Sequence, residues 1–427
     1  MRAKLPLLSA LVLGALSGVV VAGCQSYDFE PVEPLAIAQT TVEETISALA
    51  SKPNIMMLVD ISGSMTLPVD TSRPSCQVRD EDGLTVLCGN ENACPTATCP
   101  TRWTELQAAV PRFLANSGPY VRFALTTYPE ASTGSSIEAC TGPTATSVRK
   151  DLPVVEDDAS LLAHANSIND LIQGIPNHGT GQPVGGTPTS GSLNFIGSMA
   201  GLQDKDRKNF VILLTDGLPN CNPENEYSGR DQPELCKCTI AGNLCGSQIS
   251  TAFEKRGCLD TNASVKAVQA LKAQEITTIV IGFGAETASG DGPAVLQAMA
   301  SAGGFARSCT TDPTACGAND TCIAATGLCG RAFYQAGNQV ELADALERIS
   351  KEVLNLEPCL IPLNGPERPS DPKLIVVYIE GERTLAGDGT WTLTSDGVLF
   401  NGAACERIKN SRPEAPIKVE VRAIRQR

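Results

Sequence analysis

Three continuous runs of apolar residues constrain the fold of this chain more than any other feature of its sequence. They cover residues 55–59, 210–214 and 279–281. Because their apolar residues do not alternate with polar ones, such runs are typical of strands buried on both faces of a parallel sheet. Two further strands are predicted at residues 121–128 and 331–334.

Helical patterns lie between the predicted strands. Apolar residues recur at helical spacing over residues 103–114, where Pro111 should kink the helix, and over residues 265–271, 295–299 and 342–353. Strands that alternate with helices are typical of an α/β fold. The sequence therefore predicts a doubly wound domain with a mostly parallel sheet.

The pattern changes to short strands over residues 357–427. The predicted strands are residues 375–379, 391–394, 398–400 and 417–421, and Asp-Gly pairs at residues 388–389 and 396–397 mark turns. We expect a small antiparallel β unit here. Cys359 and Cys405 are its only cysteines and are expected to pair with each other.

The first residues of the chain indicate export. Arg2 and Lys4 precede an apolar run over residues 5–21, and the run ends in Gly23-Cys24. This ending resembles the bacterial lipobox, in which the cysteine receives lipid, so we expect a signal peptide at residues 1–23. A signal peptide cleaved without lipidation and an uncleaved membrane anchor are the alternatives. No other stretch of the sequence is long and apolar enough to span a bilayer.

Residues 24–52 are predicted to tether the lipid on Cys24 to the first domain. After Cys24 this segment has no cysteine, and it carries five acidic residues. By resemblance to lipoprotein sorting rules, Gln25 in place of aspartate favours the outer membrane of a diderm bacterium. The protein would then face either the periplasm or the outside of the cell.

The cysteine count supports an exported, oxidised protein. Of the 17 cysteines, lipidation of Cys24 leaves 16, an even number that allows up to eight disulfides. Three segments, residues 68–100, 219–260 and 308–330, hold 4, 5 and 4 of them, and the odd one in the middle segment has a natural partner in Cys140. The candidate disulfide cysteines are Cys76, Cys88, Cys94, Cys99, Cys140, Cys221, Cys236, Cys238, Cys245, Cys258, Cys309, Cys316, Cys322, Cys329, Cys359 and Cys405.

Composition disfavours several other classes of protein. A zinc site at Cys236 and Cys238 is a weaker alternative, because thiolate clusters need reducing conditions and no histidine lies nearby. The formal net charge of −14 and the absence of a basic block argue against nucleic-acid binding. With apolar residues at 42%, the chain has enough of them for a packed core.

Oxygen-bearing side chains follow two of the apolar runs. Asp60, Ser62 and Ser64 come directly after the first run, Asp216 follows the run at 210–214, and Thr187 lies in a Gly-Gly-Thr-Pro loop between them. In open α/β sheets, ligands bind beyond the carboxyl ends of the strands. Carboxylate and hydroxyl oxygens are hard ligands that suit Mg²⁺. The sequence therefore predicts a magnesium site at this edge of the sheet.

This pattern resembles the metal-ion-dependent adhesion site (MIDAS) of the von Willebrand factor type A (VWA) family, over about residues 53–356. The resemblance implies that Asp60, Ser62, Ser64 and Thr187 surround the cation directly or through water, and that Asp216 acts through water. The cation would be Mg²⁺, or Mn²⁺ or Ca²⁺. The matching region is longer than a usual VWA domain, and the three cysteine-rich segments account for the excess. We expect the first two to rim the metal face and the third to lie on the opposite face.

We therefore expect a lipid-anchored cell-envelope protein that uses its cation to bind a protein or extracellular ligand, in adhesion or complex assembly. A cation held by few carboxylates keeps an open coordination position, which an aspartate or glutamate of the partner would fill. The alternative is a disulfide-stabilised structural lipoprotein whose metal only stabilises the fold.

A hydrolase is the weaker interpretation. His164 and His178 are the only histidines that could act as a base. No nucleophile elbow or zinc-protease motif accompanies them, and phosphate-binding and dinucleotide-binding motifs are also absent from the sequence. We therefore expect that the protein is not an enzyme.

The lipobox interpretation predicts the behaviour of a Cys24→Ser variant. Without the thiol that receives lipid, the protein should leave the membrane fraction or stay unprocessed, as measured by fractionation and intact mass. Normal processing together with continued membrane association would contradict lipidation of Cys24.

Overall fold

The computed structural model describes residues 52–130, 140–144, 148–205, 207–246, 251–310, 313–317, 320–354, 359–363, 371–394, 397–409 and 417–423. The predicted signal peptide, Cys24 and the tether up to residue 51 lie outside the described residues. Among the residues described, no helix combines the length and the apolar character needed to cross a membrane.

Strands and helices alternate through most of the described chain. The strands are β1 (Asn54–Asp60), β2 (Gln77–Arg79), β3 (Thr85–Leu87), β4 (Arg122–Tyr128), β5 (Val148–Lys150), β6 (Asn209–Thr215), β7 (Ile276–Phe283), β8 (Cys322–Ile323), β9 (Leu328–Cys329), β10 (Tyr334–Ala336), β11 (Leu360–Pro362), β12 (Ile375–Ile379), β13 (Glu382–Thr384), β14 (Trp391–Leu393), β15 (Gly397–Phe400) and β16 (Val419–Ala423). The helices are α1 (Arg102–Ser117), α2 (Asp158–Gln173), α3 (Thr189–Gly197), α4 (Thr261–Ala273), α5 (Ala285–Ala288), α6 (Gly292–Gly303), α7 (Gln339–Leu354) and α8 (Gly402–Lys409).

A six-stranded sheet with the order β10-β7-β6-β1-β4-β5 forms the centre of the domain. Each strand runs parallel to its neighbours except β5, which pairs antiparallel with β4 at one edge. This arrangement confirms the predicted α/β class with a mostly parallel sheet. The sequence pattern did not predict β5, which has only three residues.

Helices cover both faces of the sheet, which explains the unbroken apolar runs. In β1, Ile55, Met57 and Val59 pack in one core with α1, α2 and α7. Met56 and Leu58 pack in a second core with α3, α4 and α6. Because successive strand residues point to opposite faces, one continuous run supplies both cores.

The start of β10 and the course of α1 differ from the sequence prediction. The strand predicted at residues 331–334 is wrong in its bounds, since β10 begins only at Tyr334. The backbone N–H of Arg331 donates to Asp320 and that of Ala332 donates to Gln297, so neither joins the ladder. Helix α1 continues through Pro111, where a kink was predicted.

The C-terminal unit contains two three-stranded antiparallel sheets, ordered β11-β15-β14 and β13-β12-β16. It also contains α8, so the prediction of an all-β unit is incomplete. Ala404 and Ile408, four residues apart on α8, are buried in the same core as Trp391. A helix of eight residues spans about two turns, and its two buried apolar residues are too few to reveal helical periodicity in the sequence.

Disulfides organise the three cysteine-rich segments. All 16 cysteines after Cys24 lie in described residues and pair as Cys76–Cys99, Cys88–Cys94, Cys140–Cys221, Cys236–Cys258, Cys238–Cys245, Cys309–Cys322, Cys316–Cys329 and Cys359–Cys405. The predictions for Cys140 and for the C-terminal pair are confirmed. The sulfurs of Cys236, Cys245 and Cys258 lie close together, but each is already engaged in a disulfide.

These segments have small cores made chiefly of cysteine. The first contains the hairpin β2–β3 and the third contains the hairpin β8–β9. Their buried clusters consist of half-cystines with at most a few apolar neighbours. A cross-link contributes about 2–4 kcal/mol mainly by constraining the unfolded chain, so it replaces apolar burial that these segments lack.

The pairing predicts the outcome of a non-reducing peptide map. The map should account for eight disulfides in the exported protein, among them a cross-linked species that joins Cys140 to Cys221, and alkylation without reduction should leave cysteine unmodified. Four or more alkylated cysteines would contradict this pairing. Reduction before alkylation supplies the positive control.

Candidate metal centre

Three loops meet at the carboxyl edge of the central sheet. Strands β1 and β6 are adjacent and parallel, so Asp60, which ends β1, lies beside Thr215 and Asp216 at the end of β6. The loop before α3 crosses the same edge, because the N–H of Gly63 donates to the carbonyl of Gly185 at 2.9 Å. The parallel register thus brings together residues that are far apart in the chain.

Hydrogen bonds connect the predicted ligand side chains. The hydroxyls of Ser62 and Ser64 lie 3.0 Å apart, and Ser64 donates to Asp216 Oδ1 at 3.0 Å. The N–H of Ser62 donates to Asp60 Oδ1 at 2.8 Å, and the hydroxyl of Thr215 donates to Asp60 Oδ2 at 2.7 Å. Asp60, Ser62, Ser64 and Asp216 therefore form one oxygen cluster.

Thr187 lies at the same cluster and is positioned by its backbone. Its N–H donates to Asn220 Oδ1 at 2.7 Å, and the N–H of Asn220 donates back to the Thr187 carbonyl at 2.9 Å. A methyl group on Gly217 would lie 3.5 Å from Ser64 Oγ and 3.8 Å from Thr187 Oγ1. The two hydroxyls therefore face the same small space.

The disulfide Cys140–Cys221 packs against the loop that carries Thr187. A methyl group on Gly186 would lie 2.4 Å from the sulfur of Cys221 and 3.3 Å from that of Cys140. Glycine is therefore required at position 186. Because the disulfide links the segment after β4 to the segment after β6, it fixes this loop from outside the cluster.

Burial makes the charged forms of the two carboxylates in the cluster unfavourable. Neither Asp60 nor Asp216 has exposed surface. Burial, together with the charge of Asp216, raises the pKa of Asp60 from 3.8 to about 7. Burial also raises the pKa of Asp216, although the positive charge of Arg102 opposes this. Two buried carboxylates at close range cost free energy because each loses hydration and repels the other.

Arg102 and Glu286 extend the cluster in a way that the sequence analysis missed. Arg102, the first residue of α1, donates through Nη1 to Asp216 Oδ2 at 2.6 Å and through Nη2 to Glu286 Oε1 at 3.1 Å. Burial alone would lower the pKa of Arg102, but the charges of Asp216 and Glu286 raise it overall. The available sequence signal was a basic residue in the first turn of a helix, where the macrodipole disfavours positive charge.

The donor set fits a hard divalent cation. The cluster offers two carboxylates and three hydroxyls, and it contains no sulfur or imidazole among the described residues. Mg²⁺ prefers such oxygens and usually takes only one or two carboxylates from the protein. A cation here would offset the repulsion between Asp60 and Asp216.

The two histidines lie away from this cluster. His164 is on α2, where its Nε2 lies 3.0 Å from the carbonyl oxygen of Phe123, and His178 is exposed in a loop. Burial lowers the pKa of His164. The structure therefore brings together the five predicted ligand residues and does not bring either histidine to them.

Comparisons with known proteins find similarity to solved structures only. No protein family matches the chain, and no curated protein sequence matches it. The pilus adhesin SpaC from Lactobacillus rhamnosus GG is 14% identical with a TM-score of 0.37, over 87% of this chain and 39% of that one. The PilB minor pilin from Streptococcus sanguinis is 16% identical with a TM-score of 0.39, over 71% of this chain and 61% of that one. The SpRpn10 VWA domain is 10% identical with a TM-score of 0.27, over 59% of this chain and 82% of that one.

The buried Asp60 carboxyl predicts a pH dependence of stability in EDTA. The folded protein keeps the Asp60 proton up to about pH 7, whereas the unfolded chain loses it near pH 4. Because the folded state binds more protons between these values, the free energy of unfolding should fall as the pH rises from about 5 to about 8. Denaturant titration at both pH values measures this fall.

Asp60→Asn provides the comparison. The amide preserves the shape of the side chain but does not titrate, so the fall should shrink by at least about 1.4 kcal/mol, the equivalent of one pKa unit. Equal pH dependence in the two proteins would show that Asp60 is not the titrating group.

Proposed function

We propose that this chain carries a VWA domain whose MIDAS binds a divalent cation and through it a partner protein or extracellular ligand. Mg²⁺ is the expected cation, with Mn²⁺ or Ca²⁺ as substitutes. The partner would present an aspartate or glutamate, and no catalytic role is proposed. Lipid on Cys24 would hold the protein in the cell envelope, at the outer membrane of a diderm bacterium.

One observation carries this proposal: Asp60, Ser62, Ser64 and Asp216 form a single hydrogen-bonded cluster at the carboxyl edge of the sheet, which Asp60 joins by accepting from the N–H of Ser62. Together with Thr187, these are the five residues through which the sequence resembles the MIDAS of the VWA family. The carboxylates of the cluster are buried and mutually repulsive, which is the condition that a divalent cation relieves.

The residues of the cluster would coordinate the cation in different ways. Asp60, Ser62 and Ser64 would hold it directly or through water, Thr187 would contribute its hydroxyl from the facing loop, and Asp216 would act through water. When bound, the cation supplies positive charge and a coordination position for an incoming carboxylate.

Access to the cluster supports a binding role. The carboxylates of Asp60 and Asp216 are buried, whereas Gly63, Ser64 and Gly185 are partly exposed. A partner would therefore approach from the serine and glycine side. The disulfide Cys140–Cys221 holds the rim in place, which limits the conformational entropy that binding would otherwise cost.

The alternative is that the cation only stabilises the fold. The eight disulfides favour this alternative, because they show that the fold of this chain relies on cross-links for its stability. The two roles differ in one respect. A structural cation would stabilise the fold without changing the capture of a partner.

Thermal unfolding tests cation binding. A cation present at 100 times its dissociation constant adds about 2.7 kcal/mol to the free energy of unfolding, so Mg²⁺ should raise the melting temperature of the wild type by several degrees over EDTA. Asp60→Ala should abolish the rise, and Ser62→Ala should reduce it less. Asp82→Ala removes an exposed carboxylate outside the cluster and should leave the rise unchanged.

Partner capture then separates binding from a structural role. Envelope proteins of the source cell should be captured by the wild type in Mg²⁺, but not by the wild type in EDTA or by Asp60→Ala. Equal capture under all three conditions would contradict the cation-dependent binding mechanism.

A further inference from the structure

Arg102 occupies a position that is unfavourable for a positive charge. It is the first residue of α1, where the partial positive charge of the helix N-terminus repels a cation. Its side chain is only 3% exposed, so it has also lost nearly all its hydration. Burying a charge is costly unless the charge is paired, so the partners of Arg102 must compensate for its position.

Those partners lie on two different segments: Asp216 belongs to the oxygen cluster, and Glu286 lies beside it after β7. Asp216 is fully buried and accepts from Arg102 at 2.6 Å, whereas Glu286 on α5 is 48% exposed and accepts at 3.1 Å. Gly284 gives the guanidinium its space, since a methyl group there would lie 3.1 Å from Arg102 Nε and its φ of +91° suits only glycine. The loop after β7 therefore cradles the arginine beside Asp216.

The arginine changes the charge balance of the buried cluster. Asp60 and Asp216 alone would neutralise a divalent cation completely. With Arg102 buried beside Asp216, one positive charge remains in the buried set when the cation is bound. Glu286 reduces this excess from the rim, but its half-exposed carboxylate is screened by water and acts more weakly.

We propose that Arg102 sets the charge of the metal site, so that it weakens cation binding and strengthens the binding of an anionic partner to the bound cation. Glu286 acts through Arg102 in the opposite direction. This inference rests on the proposed function for the existence of a bound cation. Arg102 is a positioning residue, because it contacts the site through Asp216 and not through the partner.

Opposite effects on cation affinity distinguish this role from a purely structural one. Arg102→Gln removes the positive charge and should tighten Mn²⁺ binding on the order of tenfold. Glu286→Gln removes a rim carboxylate and should weaken Mn²⁺ binding about threefold. Arg102→Lys keeps the charge, so its affinity should lie nearer to that of the wild type than the affinity of Arg102→Gln does, although an ammonium cannot reproduce both guanidinium hydrogen bonds. A residue that only supports the fold would weaken binding in every variant.

Arg307 offers a matched control elsewhere in the chain. Its side chain is 4% exposed and pairs with Asp320 at 3.0 Å, so Arg307→Gln also removes a buried, paired arginine. It should destabilise the protein in EDTA, as Arg102→Gln does, yet leave Mn²⁺ affinity unchanged. Added Mn²⁺ should recover stability more in Arg102→Gln than in Arg307→Gln, because the cation replaces the charge lost beside Asp216.

The decisive experiment titrates Mn²⁺ into the full exported chain with its disulfides intact, and measures free Mn²⁺ by electron paramagnetic resonance. Glutarate is then added to each Mn²⁺-loaded protein, and displacement of metal-bound water is followed by proton relaxation. Arg102→Gln should bind Mn²⁺ more tightly and glutarate several-fold more weakly than the wild type does.

Each result has a definite meaning. Lack of Mn²⁺ binding by the wild type contradicts the proposed function and this inference together. If the wild type binds Mn²⁺ but Arg102→Gln and Glu286→Gln shift its affinity in the same direction, only this inference is overturned. If Arg102→Gln does not fold, Glu286→Gln and Arg102→Lys still test the role of Arg102. A Mn²⁺ affinity in Glu286→Gln that is stronger than that of the wild type, or unchanged, contradicts the inference.

Discussion

The repulsion between Asp60 and Asp216, buried at the ends of two adjacent strands, is the interaction on which the rest of the site depends. The register of β1 and β6 forces these carboxylates together. Hydroxyls of Ser64 and Thr215 and the guanidinium of Arg102 each offset part of the cost. Two buried carboxylates that need so many donors lower the stability of the fold. A cluster with this cost has a physical reason to exist if it binds a ligand, and we therefore propose one.

The chain supports this costly cluster with covalent cross-links around it. The cysteine-rich segments bury few apolar side chains, yet two of them directly follow the loops that carry Ser64 and Asp216. Disulfides give these segments a fixed shape without a large core of their own. Cys140–Cys221 in particular packs against Gly186, so the cross-link between the segments after β4 and β6 also supports the loop that presents Thr187.

The sequence predicted the central sheet, and it predicted that the five candidate ligand residues would lie together at its edge, because both leave local signals. Unbroken apolar runs indicate strands buried on both faces, and each candidate ligand follows such a run or lies in a glycine-rich loop. Arg102 and Glu286 left no comparable signal, since their roles come from contacts between residues 184 positions apart. The helix α8 and the start of β10 were missed for a related reason: a short element, or one whose N–H groups bond to distant side chains, is decided by tertiary contacts.

Anomalous X-ray diffraction from crystals grown with Mn²⁺ tests most directly whether this oxygen cluster binds a divalent cation. We expect an anomalous peak within about 2.5 Å of oxygens from Asp60 and from Ser62 or Ser64, with Asp216 beside it and still paired with Arg102. An ordered cluster without any peak in saturating Mn²⁺, or a peak that lies only elsewhere on the protein, would contradict the account.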